Sequence, residues 1–181
     1  DRSAILGLIF AEKRRLGQGV ERNTEEVLNA LAGRVASLAA VHTILSAGGW
    51  QPLNFGELAG EVVRTTAASA QELDALSLEI SPTPVRVTAA QAHHLSLVLC
   101  ELVTNTAKHG RAAEGVRVHL HAEAGDKHIR VVYRDRGPGY PPAVLDGGGR
   151  SVGLWLIDSI VRANLRGEWT MAVSYTHLTL P

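Results

Sequence analysis

The chain has 181 residues, 45% of them hydrophobic and 20% charged, and its 18 basic and 18 acidic side chains cancel. This length suits one good core, or a helical element plus one compact domain, and the charge balance excludes general affinity for nucleic acid or anionic membrane, so a phosphate-bearing ligand has to be held locally. The single cysteine, Cys100, lies inside an apolar run, which excludes an intrachain disulfide and fits a small core hydrophobe in a cytoplasmic protein.

The chain opens in mid-pattern at Asp1, as a piece of a larger protein would. The longest apolar run, Ala4 to Ala11 with a glycine inside, is far short of the ~20 residues that span a bilayer, so membrane attachment is expected only through segments outside this chain. Ser3 to Leu16 predicts a helix, with Ile5, Leu8, Ile9 and Leu16 on one side, and Gly17 and Gly19 then permit a reversal. From Arg22 to Ala47, Leu28, Leu31, Val35, Leu38, His42 and Leu45 step by three and four, the rhythm of a helix seam. Two antiparallel helices bury little apolar surface, so a homodimer closing a four-helix bundle is expected.

Gly48-Gly49-Trp50-Gln51-Pro52 predicts a boundary, dividing a helical region, residues 1–50, from a second domain, residues 51–173. That domain reads as a helix from Phe55 to Ala70, short strands at 75–80 and 85–87, and a helix opened by a Thr88–Gln91 capping box. Alternating segments from Val116 and from Ile129, joined by a turn at 124–127, predict a hairpin. A glycine-rich loop, a helix from Val152 to Ala163 and a strand at 168–173 follow. The fold class is therefore α+β, a helical hairpin followed by a two-layer sandwich. Residues 174–181, within VSYTHLTLP, read as a non-native tail of the kind left by processing, although the Thr-x-Leu-x alternation equally suits a strand.

Three clusters could carry chemistry. In ELVTNTAKHG, helical spacing puts Glu101, Asn105 and Lys108 in one sector, with His109 beside them and His94 two turns earlier. Leu95, Leu99, Leu102 and Val103 take the other side; a solvated amphipathic face is the plainer alternative. In DRGPG, Asp135 ends a strand before Gly137 and Gly139, where a carboxylate can accept from an exocyclic amine and glycines let backbone approach a flat ring; a turn aspartate is the commoner reading. In GGGRSVGL, glycines precede a helix whose free N–H groups and positive dipole end suit phosphate, with Ser151 and Gly153 lining the approach. No Lys-Ser/Thr follows these glycines, which excludes a P-loop, and Val152 stands where a dinucleotide fingerprint needs glycine.

The three motifs in this order resemble the N, G1 and G2 boxes of the ATP-binding domain shared by sensor histidine kinases, chaperones of the HSP90 type, gyrases and mismatch-repair ATPases. The stretch from Arg34 to His42 further resembles the dimerisation and phosphotransfer region of the HWE/HisKA_2 branch of histidine kinases. The resemblance implies Mg2+ and ATP as cofactors, with Asn105 on the metal, Glu101 as a polarising acid and Lys108 and His109 on phosphate. It also implies Asp135 on the adenine amine, Gly137 and Gly139 shaping that pocket, Ser151, Gly153 and Leu154 closing on phosphates, and a lid over 141–150. Phosphorylation of a histidine, a homodimer through the N-terminal helices and a response-regulator receiver domain downstream would follow.

The acceptor histidine of that branch would fall a few residues before Asp1, or be missing from the protein altogether. His42 is expected to be a packed core histidine instead. His93, His94, His119, His121 and His128 lack a ligand set at zinc spacing, so a half-exposed strand face is expected for the pair His119 and His121. The alternatives are a phosphotransfer or regulatory protein that does not autophosphorylate, and an anti-sigma-type serine kinase with the same ATP-binding fold.

Overall fold

The structure, a computed structural model, describes residues 24–69, 76–109, 116–137, 152–172 and 175–181. The predicted helix Ser3–Leu16, its Gly17–Gly19 reversal, the glycine-rich loop and the lid at 141–150 lie outside the described residues.

The first described element is α1, Thr24–Ala47. It ends at a reversal in which Gly48 N–H donates to Ile44 O and Trp50 N–H to Leu45 O, with Gly49 and Trp50 both at positive φ. The chain then forms β1, Leu53–Asn54, and α2, Phe55–Ser69, whose first turn is capped by Asn54: its Oδ1 accepts from Gly56 N–H at 2.8 Å. Strand β2, Leu76–Ile80, and the short β3, Arg86–Val87, precede α3, Ala89–His109. The capping box that opens α3 is formed as the sequence predicts, Thr88 N–H donating to Gln91 Oε1 at 2.9 Å and Gln91 N–H to Thr88 Oγ1 at 3.3 Å.

Next come β4, Val116–Ala124, β5, Ile129–Asp135, and α4, Val152–Ser159, which runs into a π-helical turn over Ile160–Asn164. Strands β6, Glu168–Ala172, and β7, Tyr175–Leu180, close the chain. The main sheet has the order β2-β4-β5-β7-β6, with β2 parallel to β4 and the other pairs antiparallel; β1 and β3 form a separate pair. Along β4, Val118, Leu120 and Ala122 are buried while Arg117 and Glu123 are exposed, so the two-residue period puts one sheet face in the core and leaves the other polar.

Helix α3 is buried on every side over Leu95–Val103, because the sheet, α1, α2 and α4 all pack on it. Layered helices and a mixed sheet give the α+β architecture that the sequence implies.

Packing bears on three local points. Residues 175–180, for which the sequence leaves a processing tail and a strand equally open, form an interior strand, with Thr176, Leu178 and Leu180 buried. Alternation of side chains suffices for that placement, whatever the segment's origin. On α1 the domain takes the side of Arg34, Ser37, Val41 and Leu45, spaced by three and four; of the predicted seam, Leu45 is buried there, whereas Leu28 and Val35 are 59% and 60% exposed. Val41 and Leu45 join the same hydrophobic core as α2, α3 and the sheet, so the core is continuous across the chain boundary at Gly48. His42 is exposed rather than packed in a core, its ring edge-on to Trp50 at 5.1 Å, because the positive-φ turn folds Trp50 back over the last turn of α1.

Helix α1 also answers the membrane question differently from a search for unbroken apolar runs. Val27–Ala47 is by length and composition apolar enough to cross a bilayer. In this fold one of its sides packs on α2 and α3 instead, and its one Lys or Arg, Arg34, is buried there.

Candidate functional site

Helix α3 carries its polar side chains where the end of β5 and the start of α4 meet it. Glu101 is only 6% exposed, and its Oε1 accepts from Nε of Arg34, itself 2% exposed, at 2.5 Å. A carboxylate buried this deeply needs such a partner; removing one member of a buried pair strands the other charge, at about 3–5 kcal/mol. The second carboxylate oxygen turns toward α4: a Cβ added at Gly153 would lie 2.6 Å from Glu101 Oε2, and 3.6 Å from both Oδ1 and Nδ2 of Asn105. Gly153 is therefore the residue that lets α4 approach the polar side of α3.

Asn105 follows Glu101 by one helical turn. Its Nδ2 is buried and has no hydrogen-bond partner, a state costing about 1–3 kcal/mol when nothing compensates it. An amide left in this condition is suited to a polar ligand.

Asp135 ends β5 and is held in place from two sides. Its Oδ1 accepts from Gly137 N–H at 2.9 Å, and its Oδ2 accepts from Thr106 Oγ1 at 3.0 Å. Thr106 Oγ1 is also 2.7 Å from Tyr133 Oη. With one hydroxyl proton to give, Thr106 donates to Asp135 and accepts from Tyr133, a chain that runs from the core to the carboxylate. Asp135 keeps lone pairs for a further donor.

Of the residues singled out in the sequence, Glu101, Asn105 and Gly153 come together, and Asp135 with Gly137 is tied to α3 through Thr106, the residue after Asn105. Leu154 is buried in the first turn of α4, next to Gly153. Lys108 is exposed, one turn beyond Asn105. Gly139 and Ser151, and the side chain of His109, lie outside the described residues.

His94 stays apart from this chemistry: it is buried, its Nε2 lacks a partner, and burial pushes its imidazole below the ordinary value against the opposing Ala90 backbone hydrogen bond. Burial, with Glu101 nearby, pushes the Cys100 thiol up, so it serves as a protonated core group. Among the described residues no cluster of three or more His, Cys, Asp or Glu could hold a metal ion. His119 instead hydrogen-bonds Ser81 Oγ at 3.0 Å on a half-exposed strand face.

Sequence reasoning missed Arg34, Thr106 and Tyr133. The signal for Arg34 was present: it is the one Lys, Arg, Asp or Glu in the 21 residues from Val27 to Ala47, and a lone cation in an apolar helix needs an acid. Thr106 and Tyr133 carried no such mark, since their pairing depends on β5 lying against α3.

Residues 90–179 match the family described as histidine kinase-, DNA gyrase B- and HSP90-like ATPase. No curated protein matches the sequence. Among solved structures, the histidine kinase domain of the Erythrobacter litoralis blue-light activated histidine kinase EL346 is similar, with a TM-score of 0.65 at 18% identity over 96% of this chain and 82% of that one. The catalytic domain of histidine kinase ThkA, in a nucleotide-free form, has a TM-score of 0.58 at 18% identity over 72% of this chain and 94% of that one. Full-length ShkA in complex with AMPPNP has a TM-score of 0.53 at 20% identity over 85% of this chain and 35% of that one. At these identities the likeness is one of fold.

Proposed function

We propose, from the premise that this chain belongs over residues 90–179 to the histidine kinase-, DNA gyrase B- and HSP90-like ATPase family, that it is the ATP-binding core of a sensor histidine kinase of the HWE/HisKA_2 branch. It would use Mg-ATP to phosphorylate a histidine in two-component signalling, with a response-regulator receiver domain downstream. The observation that carries the reading is the meeting of Glu101, Asn105 and Gly153 at an Asn105 amide without a hydrogen-bond partner, with Asp135 tied to the same helix by Thr106.

These residues fit the nucleotide and its metal. The Asn105 side chain offers Mg2+ a carbonyl oxygen, and one such ligand is enough for an ion that keeps several waters. Its unpartnered Nδ2 can donate to a phosphate oxygen. Asp135, oriented by Thr106 and Gly137, accepts from the exocyclic amine of adenine. The first turn of α4 presents backbone N–H groups and the positive end of its dipole to anionic oxygens. Lys108, exposed beyond Asn105, adds positive charge; His109, Gly139 and Ser151 complete the proposed set. Glu101 polarises the group that attacks. Bound Mg-ATP supplies the γ-phosphoryl group and a cation that neutralises charge on the oxygens around it.

The outer side of α1, where Leu28 and Val35 are exposed, supports a second copy as the partner of this helix. The branch assignment rests on the stretch from Arg34 to His42. Titration of the chain with Mg-ATP tests the reading. Wild type is expected to bind, and Asn105→Ala to bind at least about tenfold more weakly, a loss of 1.4 kcal/mol or more. A wild type that fails to bind, or a variant that binds equally well, would rule the site assignment out.

A further inference from the structure

Glu101 is held from outside the segment that matches the ATPase family. Its Oε1 accepts from Arg34, which lies 67 residues earlier, on α1. Its Oε2 is the oxygen that a Cβ at Gly153 would approach to 2.6 Å. One carboxylate oxygen is thus tied to the helical arm and the other faces Gly153 and Asn105.

A carboxylate 6% exposed with no cation beside it would turn toward water. The guanidinium opposes this through the charge-assisted hydrogen bond from its Nε to Oε1. The same arm is anchored nearby: Ser37 Oγ lies 3.3 Å from Thr66 Oγ1 of α2, and Val41 and Leu45 are buried in the shared core. Arg34 is therefore delivered by a docked helix.

We propose that Arg34 is a positioning residue of the ATP site, holding Glu101 aimed at Gly153 and Asn105, so that the site is complete only while α1 is docked. This rests on the reading of the site as one for Mg-ATP. The position of the arm would then be felt at the nucleotide without the arm touching it, a coupling through one ion pair.

The test uses the full chain as wild type, Arg34→Lys, Arg34→Met, Glu101→Gln and the double variant Arg34→Met/Glu101→Gln. Without nucleotide, two-dimensional NMR follows the Gly153 amide and the Asn105 side-chain amide; with it, Mg-ATP affinity and ATP hydrolysis are measured. Arg34→Met is expected to shift these two sets of signals, keep affinity within about threefold and lower hydrolysis at least about tenfold, the pattern of an interaction made in the transition state. Arg34→Lys is expected to recover much of the rate. In the Glu101→Gln background, Arg34→Met is expected to add no further loss.

Equal losses in both backgrounds, unmoved signals, or faster hydrolysis in Arg34→Met would overturn the proposal. Should Arg34→Met fail to fold, Arg34→Lys and the double variant, which strands no charge, still decide: a double variant indistinguishable from Glu101→Gln supports it and a further drop in rate overturns it. A wild type that does not bind Mg-ATP sinks the nucleotide reading alone, because the ligand-free signals still report whether Arg34 positions Glu101.

Discussion

Single atoms decide whether the polar side of α3 is a site. Asn105 Nδ2 is buried without a partner, and α4 comes this close to it because residue 153 has no side chain. Gly153→Ala would push a methyl group to 2.6 Å from Glu101 Oε2, so the variant is expected to lose about 1–3 kcal/mol of stability from overpacking and to bind Mg-ATP at least about tenfold more weakly. Chemical denaturation and nucleotide titration measure the two effects separately; an unchanged affinity would place the phosphates elsewhere. Asp135→Ala removes the acceptor that Thr106 and Gly137 hold in place, and the expected outcome is loss of preference for ATP over GTP in competition binding, since an adenine amine loses its specific partner. The spacing of Glu101, Asn105 and Lys108 was readable from sequence because a helix repeats every 3.6 residues. The Thr106–Tyr133 contact was not, because it joins two elements that no local pattern relates.

Among the elements, α1 shows how one helix can carry two apolar faces. Its small and apolar residues run most of the way round, so two overlapping rhythms of three and four coexist, and only packing selects between them. The domain takes the side of Arg34, Ser37, Val41 and Leu45, leaving Leu28 and Val35 exposed. Placing Glu at both exposed positions is expected to turn a dimer into a monomer in sedimentation equilibrium, while stability of the subunit changes by only about 0.5 kcal/mol as for ordinary surface substitutions; a wild type that sediments as a monomer would refute the paired-arm reading. The start of α3 is simpler, because the Thr88–Gln91 box is a local motif and formed as read. Thr88→Ala is expected to cost about 1 kcal/mol in denaturant unfolding. In β7 the alternation was visible, but its place between β5 and β6 was set by sheet pairing.

For the molecule as a whole, buried imidazoles make stability depend on acidity. Burial holds the His94 imidazole below the ordinary value of about 6.5, and burial lowers His93 beside it as well. In the unfolded chain these rings take up protons first, so their share of stability is full above about pH 6.5 and is lost as pH falls toward their folded values. The melting temperature is expected to drop between about pH 6.5 and pH 5, and to drop less in His94→Gln; an equal drop in both would assign the effect to other groups. The sequence by itself determined the elements, the capping box and the order of the three motifs, because helix and strand periods, caps and turns are written over a few neighbouring residues. Only the tertiary structure decided that α1 docks on the ATPase domain, that Arg34 meets Glu101 across 67 residues, and that Gly153 closes on Asn105. Those contacts come from burying an apolar helix side and pairing the charge it carries inside, and the sequence marks such a need without saying where it is met.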